Sequence, residues 1–143
     1  MDDIEIDNDC TVEWLILGDF AEVLNGKLYL MGGGWDVISV TQSMPTHRTV
    51  GVAVAVRIPW NRTNEAHTLV VEIQDDDARS TLARIDGQLE VGRPPRYPKG
   101  QAQRIQIALN IPLRFDHAGG YTVIGRVDDE QETRAPFLVD VMM

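Results

Sequence analysis

Cysteine is nearly missing from this chain: its 143 residues include only Cys10, so no disulfide can close within it. Basic residues are scarce too. Lys and Arg total 13 against 22 Asp and Glu, a net charge of -9, with a pI near 4.6. Such a balance repels polyanions and excludes broad binding to nucleic acid or anionic membrane surfaces. The opening MDDIEIDND has neither the basic start nor the apolar core of a secretion signal. No apolar run approaches the roughly 18 residues of a membrane-spanning helix. These absences together predict a soluble, cytoplasmic protein with no membrane span.

Catalytic signals are also lacking. There is no nucleophile elbow and no metal-spaced His or Cys cluster, and Cys10 has no neighbouring base in sequence. His47, His67 and His117 fall in or beside expected loops and strand starts, where a lone histidine is a surface residue more often than a catalytic one. The expectation is a non-enzyme with no cofactor.

What the chain does have is period-two alternation, the mark of strands with one buried face. In QRIQIALNIPL, Ile105, Ile107, Leu109, Ile111 and Leu113 share one side. Val50, Val52, Val54, Val56 and Ile58 do the same, opposite Gly51, Ala53, Ala55 and Arg57. Small residues on that second face leave room for another layer or another subunit. Further strands are expected at 13–24, 27–31, 67–74, 81–91 with a bend at Asp86 and Gly87, 120–128 and 135–141. Asn25-Gly26 signals a tight hairpin turn, because both positions of a type I′ turn need positive φ. No helical period is present.

About eight or nine short strands separated by turns predict an all-β, antiparallel, immunoglobulin-like β-sandwich, with a barrel as the other possibility. It fills residues 11–143 as one domain behind an acidic flexible tail, residues 1–10. The segment FDHAGGYTVIGRV fits this reading, since an Asp, small residues and a Tyr opening a strand resemble the tyrosine corner of such folds.

The glycines of LYLMGGGWDVI pose a choice between a phosphate loop and a kink in the sheet. A phosphate loop needs a helix to follow and a Lys with Ser or Thr. Strand-like WDVISV follows instead, so Gly32, Gly33 and Gly34 are read as structural. Trp35 beside them is either a core anchor or an exposed aromatic.

Successive antiparallel connections alternate between the ends of the sheets, which sorts the loops. Loops 59–65, 92–102 and 128–131 share one end, and 42–47, 75–79 and 114–119 share the other. The first end collects Trp60, Arg62, Arg93, Arg96, Tyr97 and Lys99. Arg and aromatic residues dominate interface energetics, so this end is the expected protein-contact surface. The bland alternative pairs these cations with Asp128, Asp129 and Glu130. The second end collects Asp75, Asp76 and Asp77 with Asp116, His117 and His47, and Asp75, Asp77 and Asp116 form a secondary, calcium-binding alternative. The acidic runs 75–77 and 128–130 fall at opposite ends and cannot build one site.

LILGDFAEVLNGKLYLMGGGWDVI, GRPPRYPKG, ALNIPLRFDHAGGYTVIGRVD and PFLV together resemble a bacterial family of small proteins known only as a domain of unknown function. The resemblance implies a β-sandwich and carries no catalytic residue with it. The functional expectation is a non-catalytic binding or assembly module. Its alternatives are a homo-oligomer that buries the outward Ala and Val residues, and a calcium-dependent ligand-binding or membrane-binding domain.

Overall fold

The computed structural model describes residues 9–41 and 43–142. Residues 1–8 of the expected tail, Gln42 of the expected loop 42–47 and Met143 of the expected domain lie outside them. Among the described residues ten strands follow in order: β1 Thr11–Gly18, β2 Phe20–Leu24, β3 Lys27–Met31, β4 Val37–Val40, β5 Thr46–Ile58, β6 His67–Asp75, β7 Ser80–Leu89, β8 Gln103–Phe115, β9 Gly119–Val127 and β10 Thr133–Val141. Among the described residues no helix is long and apolar enough to cross a membrane.

The alternating aliphatics force two layers. A three-stranded sheet, β1-β5-β8, faces a five-stranded sheet, β4-β10-β9-β6-β7. Val50, Val52, Val54, Val56 and Ile58 of β5 and Ile111 and Leu113 of β8 meet Leu69, Val71 and Ile73 of β6, Val123 of β9 and Val139 of β10 in one core. At one end of that core Phe115 packs edge-on to Tyr121, with centroids 4.9 Å apart, and Phe137 stacks on Tyr121 at 5.7 Å. The Tyr121 hydroxyl donates to the His117 carbonyl at 2.7 Å, the hydrogen bond that defines a tyrosine corner. The sandwich expectation holds.

Several details differ from the sequence reading. The expected strand 13–24 divides at Asp19, where the chain leaves the first sheet and β2 begins a separate two-stranded hairpin with β3. β7 runs unbroken through Asp86 and Gly87, which pair with Val70 and Leu69. One pairing is parallel, between β10 and β4, so the fold is not wholly antiparallel.

The hairpin accounts for the small residues of β5. Gly51, Ala53 and Ala55 are fully buried within the single chain, because β2 folds across β5 and β8. A Cβ at Gly51 would stand 3.0 Å from the Phe20 nitrogen, so only glycine lets the hairpin backbone come this close. Asn110 secures the contact by accepting from the Ala21 N–H and donating to the Ala21 carbonyl, each at 2.9 Å. Of the two expected covers, another layer or another subunit, the structure shows a layer from the chain itself, the β2-β3 hairpin. Phe20, Leu24, Tyr29 and Met31 remain exposed on the hairpin's far face.

Gly32 to Gly34 turn the chain from this hairpin into β4. Gly32 and Gly34 adopt φ of +58° and +87°, values that L side chains resist. The Gly34 N–H donates to the Leu17 carbonyl at 2.8 Å, which closes the turn onto the end of β1. Trp35 is half-buried: its ring meets Phe137 edge-on at 6.0 Å, and its Nε1 donates to Asp19 at 3.2 Å.

Candidate functional site

Register brings the predicted contact residues together. Ile58 lies opposite Gln103, His67 opposite Leu89, and Leu69 opposite Val127. The loops after β5, β7 and β9 therefore share one end, as the alternation rule requires. After Pro59 the chain makes a short 3-10 turn, Trp60–Arg62.

Three of the six predicted residues, Trp60, Arg62 and Arg93, meet partners within this end. Arg93 lies over the Trp60 ring, 4.2 Å from its centroid. Its Nε donates to Thr63 Oγ1 at 2.6 Å and its Nη2 to the Trp60 carbonyl at 3.0 Å, which fastens loop 92–102 to the 3-10 turn. Arg62 pairs with Glu65 at 3.2 Å, Asp128 at 3.3 Å and Glu130 at 3.2 Å. For Arg62 the bland alternative holds: the cation answers acids of its own end. Asp129 pairs instead with Arg126, at 3.3 Å.

The other predicted residues face outward. Arg96 and Lys99 are exposed, Tyr97 is half-buried, and the Arg96 guanidinium lies 5.5 Å from the Tyr97 centroid. Hydrogen bonds from Tyr97 N to the Pro94 carbonyl and from Gln101 N to the Pro98 carbonyl shape the loop, at 3.0 and 3.1 Å.

Beneath Arg62 lies a buried cluster that sequence reading missed. Cys10, expected in the tail and without a base, is 1% exposed, with Sγ 3.5 Å from His67 Nδ1. A thiol packs as a small hydrophobe, and Val12 continues the same core. His67, expected at the surface, is also buried. Its Nδ1 donates to Asp128 Oδ2 and its Nε2 to the Arg62 carbonyl, both at 2.6 Å. The second Asp128 oxygen accepts from the Thr68 N–H at 2.8 Å.

A carbonyl and a carboxylate can only accept, so these contacts favour the doubly protonated ring. Burial opposes that charge, but the Arg62 carbonyl and Asp128 outweigh it and hold the His67 pKa above the ordinary value of 6.5. The same ring has no lone pair for the thiol proton. Burial, chiefly, pushes the Cys10 pKa up to about 11. The triad-like grouping thus lacks an activated nucleophile.

The opposite end repeats this arrangement. His117 donates from Nε2 to Asp75 at 2.6 Å and from Nδ1 to the Ala118 carbonyl at 2.8 Å. That carbonyl first, then Asp75, raises its pKa. Asp75 also accepts from the N–H groups of Asp77 and Ala78, at 3.0 and 3.1 Å. Of the expected calcium trio, Asp116 pairs with Arg114 at 2.9 Å. The group that gathers is Asp75, Asp77 and His117, with ligand atoms within 4.8 Å of one another; Cys10, His67 and Asp128 form a second. A cation at either must first displace a histidine proton.

Stability therefore has a definite pH response. Both histidines have raised pKa values, so their stabilisation is complete below the unfolded value near 6.5 and is lost as pH rises through the folded values. Cys10 acts in the same direction above its ordinary 9.0, since only the unfolded thiol ionises readily there. Urea denaturation should show stability falling from about pH 6 upward. A rise over that range would mean neutral rings.

Arg62, Arg84, Arg104, Arg114, Arg126 and Arg134 pair with carboxylates. Of the seven Lys and Arg residues with no carboxylate oxygen within 4.0 Å among the described residues, Arg57, Arg93, Arg96 and Lys99 stand at this end, and Lys27, Arg48 and Arg79 stand elsewhere. Arg57 escaped sequence reading because it looked like one more outward strand position. No curated protein matches the chain. A model for the family of unknown function DUF6941 matches residues 13–140, and the chain belongs to that family.

Proposed function

We propose that this domain is a non-catalytic module that binds an acidic protein segment at the end carrying loop 92–102. The observation behind this reading is the gathering of Arg57, Arg93, Arg96 and Lys99, none within 4.0 Å of a carboxylate oxygen among the described residues, beside Trp60 and Tyr97 in a chain of net charge -9. Four cations gathered at one end of an acidic chain favour an anionic partner there. The prolines of GRPPRYPKG limit the loop's freedom and so reduce the entropy lost on binding. The raised pKa of Cys10 and the doubly donating His67 support the absence of catalysis. Cys10 as a buried free thiol suits a reducing cytoplasm.

Pull-downs from native extract with wild type and an Arg96→Glu, Lys99→Glu variant test this, since both residues are exposed and Arg96 touches only the Tyr97 ring of its own loop. A partner captured by wild type, lost from the folded variant and released by raised salt is the expected result. Identical captures from both proteins would refute the assignment of this end.

A further inference from the structure

Beside loop 92–102, on the outer face of the three-stranded sheet, lies an open cleft of about 330 Å³. Its walls include Glu13, Arg57, Tyr97, Gln101, Gln103 and Arg104. The hairpin stops short of it: the Gly26 carbonyl at the hairpin tip accepts from Gln106, two residues from Arg104, at 3.0 Å.

Arg57 and Arg104 are directly opposed across β5 and β8. Like charges in that position destabilise a sheet. One carboxylate serves the pair. The register of β1 slips between Val12 and Trp14, and Glu13 is the extra residue of that bulge. Its two oxygens meet Arg104 Nε at 3.1 Å and Nη2 at 2.9 Å, a bidentate clamp. The hydrogen bond from Arg104, chiefly, holds the Glu13 carboxyl below its usual range. Both Glu13 oxygens are thus engaged, and the half-buried Arg57 guanidinium has no hydrogen-bonded acceptor among the described residues. Two guanidinium groups, one carboxylate and an open cleft leave a place for one further anion.

We infer that this cleft is where the partner's acidic segment is read, by a carboxylate docking on Arg57 beside the Glu13–Arg104 pair. The inference rests on the binding function proposed above and names the group recognised. Tyr97 forms the aromatic wall, and the neighbouring Arg96 and Lys99 attract the segment from a distance. A planar carboxylate matches the free guanidinium fork.

The test is a titration of the isotope-labelled full chain with acetylated hexaglutamate, with hexaglutamine and inorganic phosphate in parallel, following the Nε–H signals of Arg57 and Arg104. Hexaglutamate should shift both signals and hexaglutamine neither. Arg57→Gln should weaken binding about tenfold, the worth of one charge-assisted contact, with a Tm no lower than wild type because it removes the opposed charge. Glu13→Gln should tighten binding, a change that damage to the fold does not produce.

Phosphate shifting the signals as strongly as hexaglutamate would overturn the choice of a carboxylate. Binding that survives Arg57→Gln but vanishes with Arg96→Gln, Lys99→Gln would overturn the cleft while leaving the contact end intact. A lowered Tm in Arg57→Gln with unchanged binding would assign Arg57 to the fold instead. A wild-type chain that does not respond to hexaglutamate would overturn the cleft, and the pull-down then decides separately whether the end binds protein at all.

Discussion

Asp128→Ala is expected to lower the free energy of unfolding by about 3–5 kcal/mol, the loss seen when one partner of a buried ion pair is removed. One Asp128 oxygen meets His67 at 2.6 Å and Arg62 at 3.3 Å, and the other accepts from the Thr68 N–H. His67 is 1% exposed, so without Asp128 its positive charge is stranded in the core or its proton is expelled. Alanine also fits poorly at the φ of +53° found here. Asp128→Asn keeps the turn and an acceptor for Thr68, and should lose less. Urea denaturation at pH 6 measures both. A loss below about 1 kcal/mol for alanine would place this contact with ordinary surface pairs such as Arg114–Asp116.

Phe115→Ala is the second large expectation, about 3–5 kcal/mol from removal of a fully buried ring. Phe115 closes β8 at the end of the core, edge-on to Tyr121 at 4.9 Å and to Phe137 at 6.1 Å. Those neighbours are themselves fixed, Tyr121 by its hydrogen bond to the His117 carbonyl and Phe137 by the Trp35 ring. The cavity therefore cannot collapse cheaply. Phe115→Leu fills part of the space and should recover a good share of the loss. Thermal and denaturant unfolding of both variants give the comparison, and equal stability of the alanine variant and wild type would show the ring cluster to be dispensable.

The gathering of the expected contact residues was legible in outline. Trp60, Arg62, Arg93, Arg96, Tyr97 and Lys99 do share one end, because strand alternation alone determines which loops are neighbours. Their separate jobs were not legible. That Arg93 caps Trp60 and Arg62 answers three acids depends on where 3-10 turn, loop and β9 turn meet. Arg57 and Arg104 are 47 positions apart, and only the register of β5 with β8 opposes them.

Taken by itself, the sequence determined the class of fold. Alternating Val, Ile and Leu leave a chain no way to bury them except as strands packed face to face, and Asn25-Gly26 sets a hairpin. The net charge and the lone cysteine are likewise properties of composition. Tertiary structure decided what each polar residue meets. Cys10 reached the core, His67 gained two acceptors, Gly51 admitted the hairpin, and Glu13 crossed to Arg104 through one extra residue in β1. Burial follows from local period, which a sequence displays; electrostatic partnership depends on distances of a few ångströms between segments remote in the chain, and these exist only once the sheets have closed.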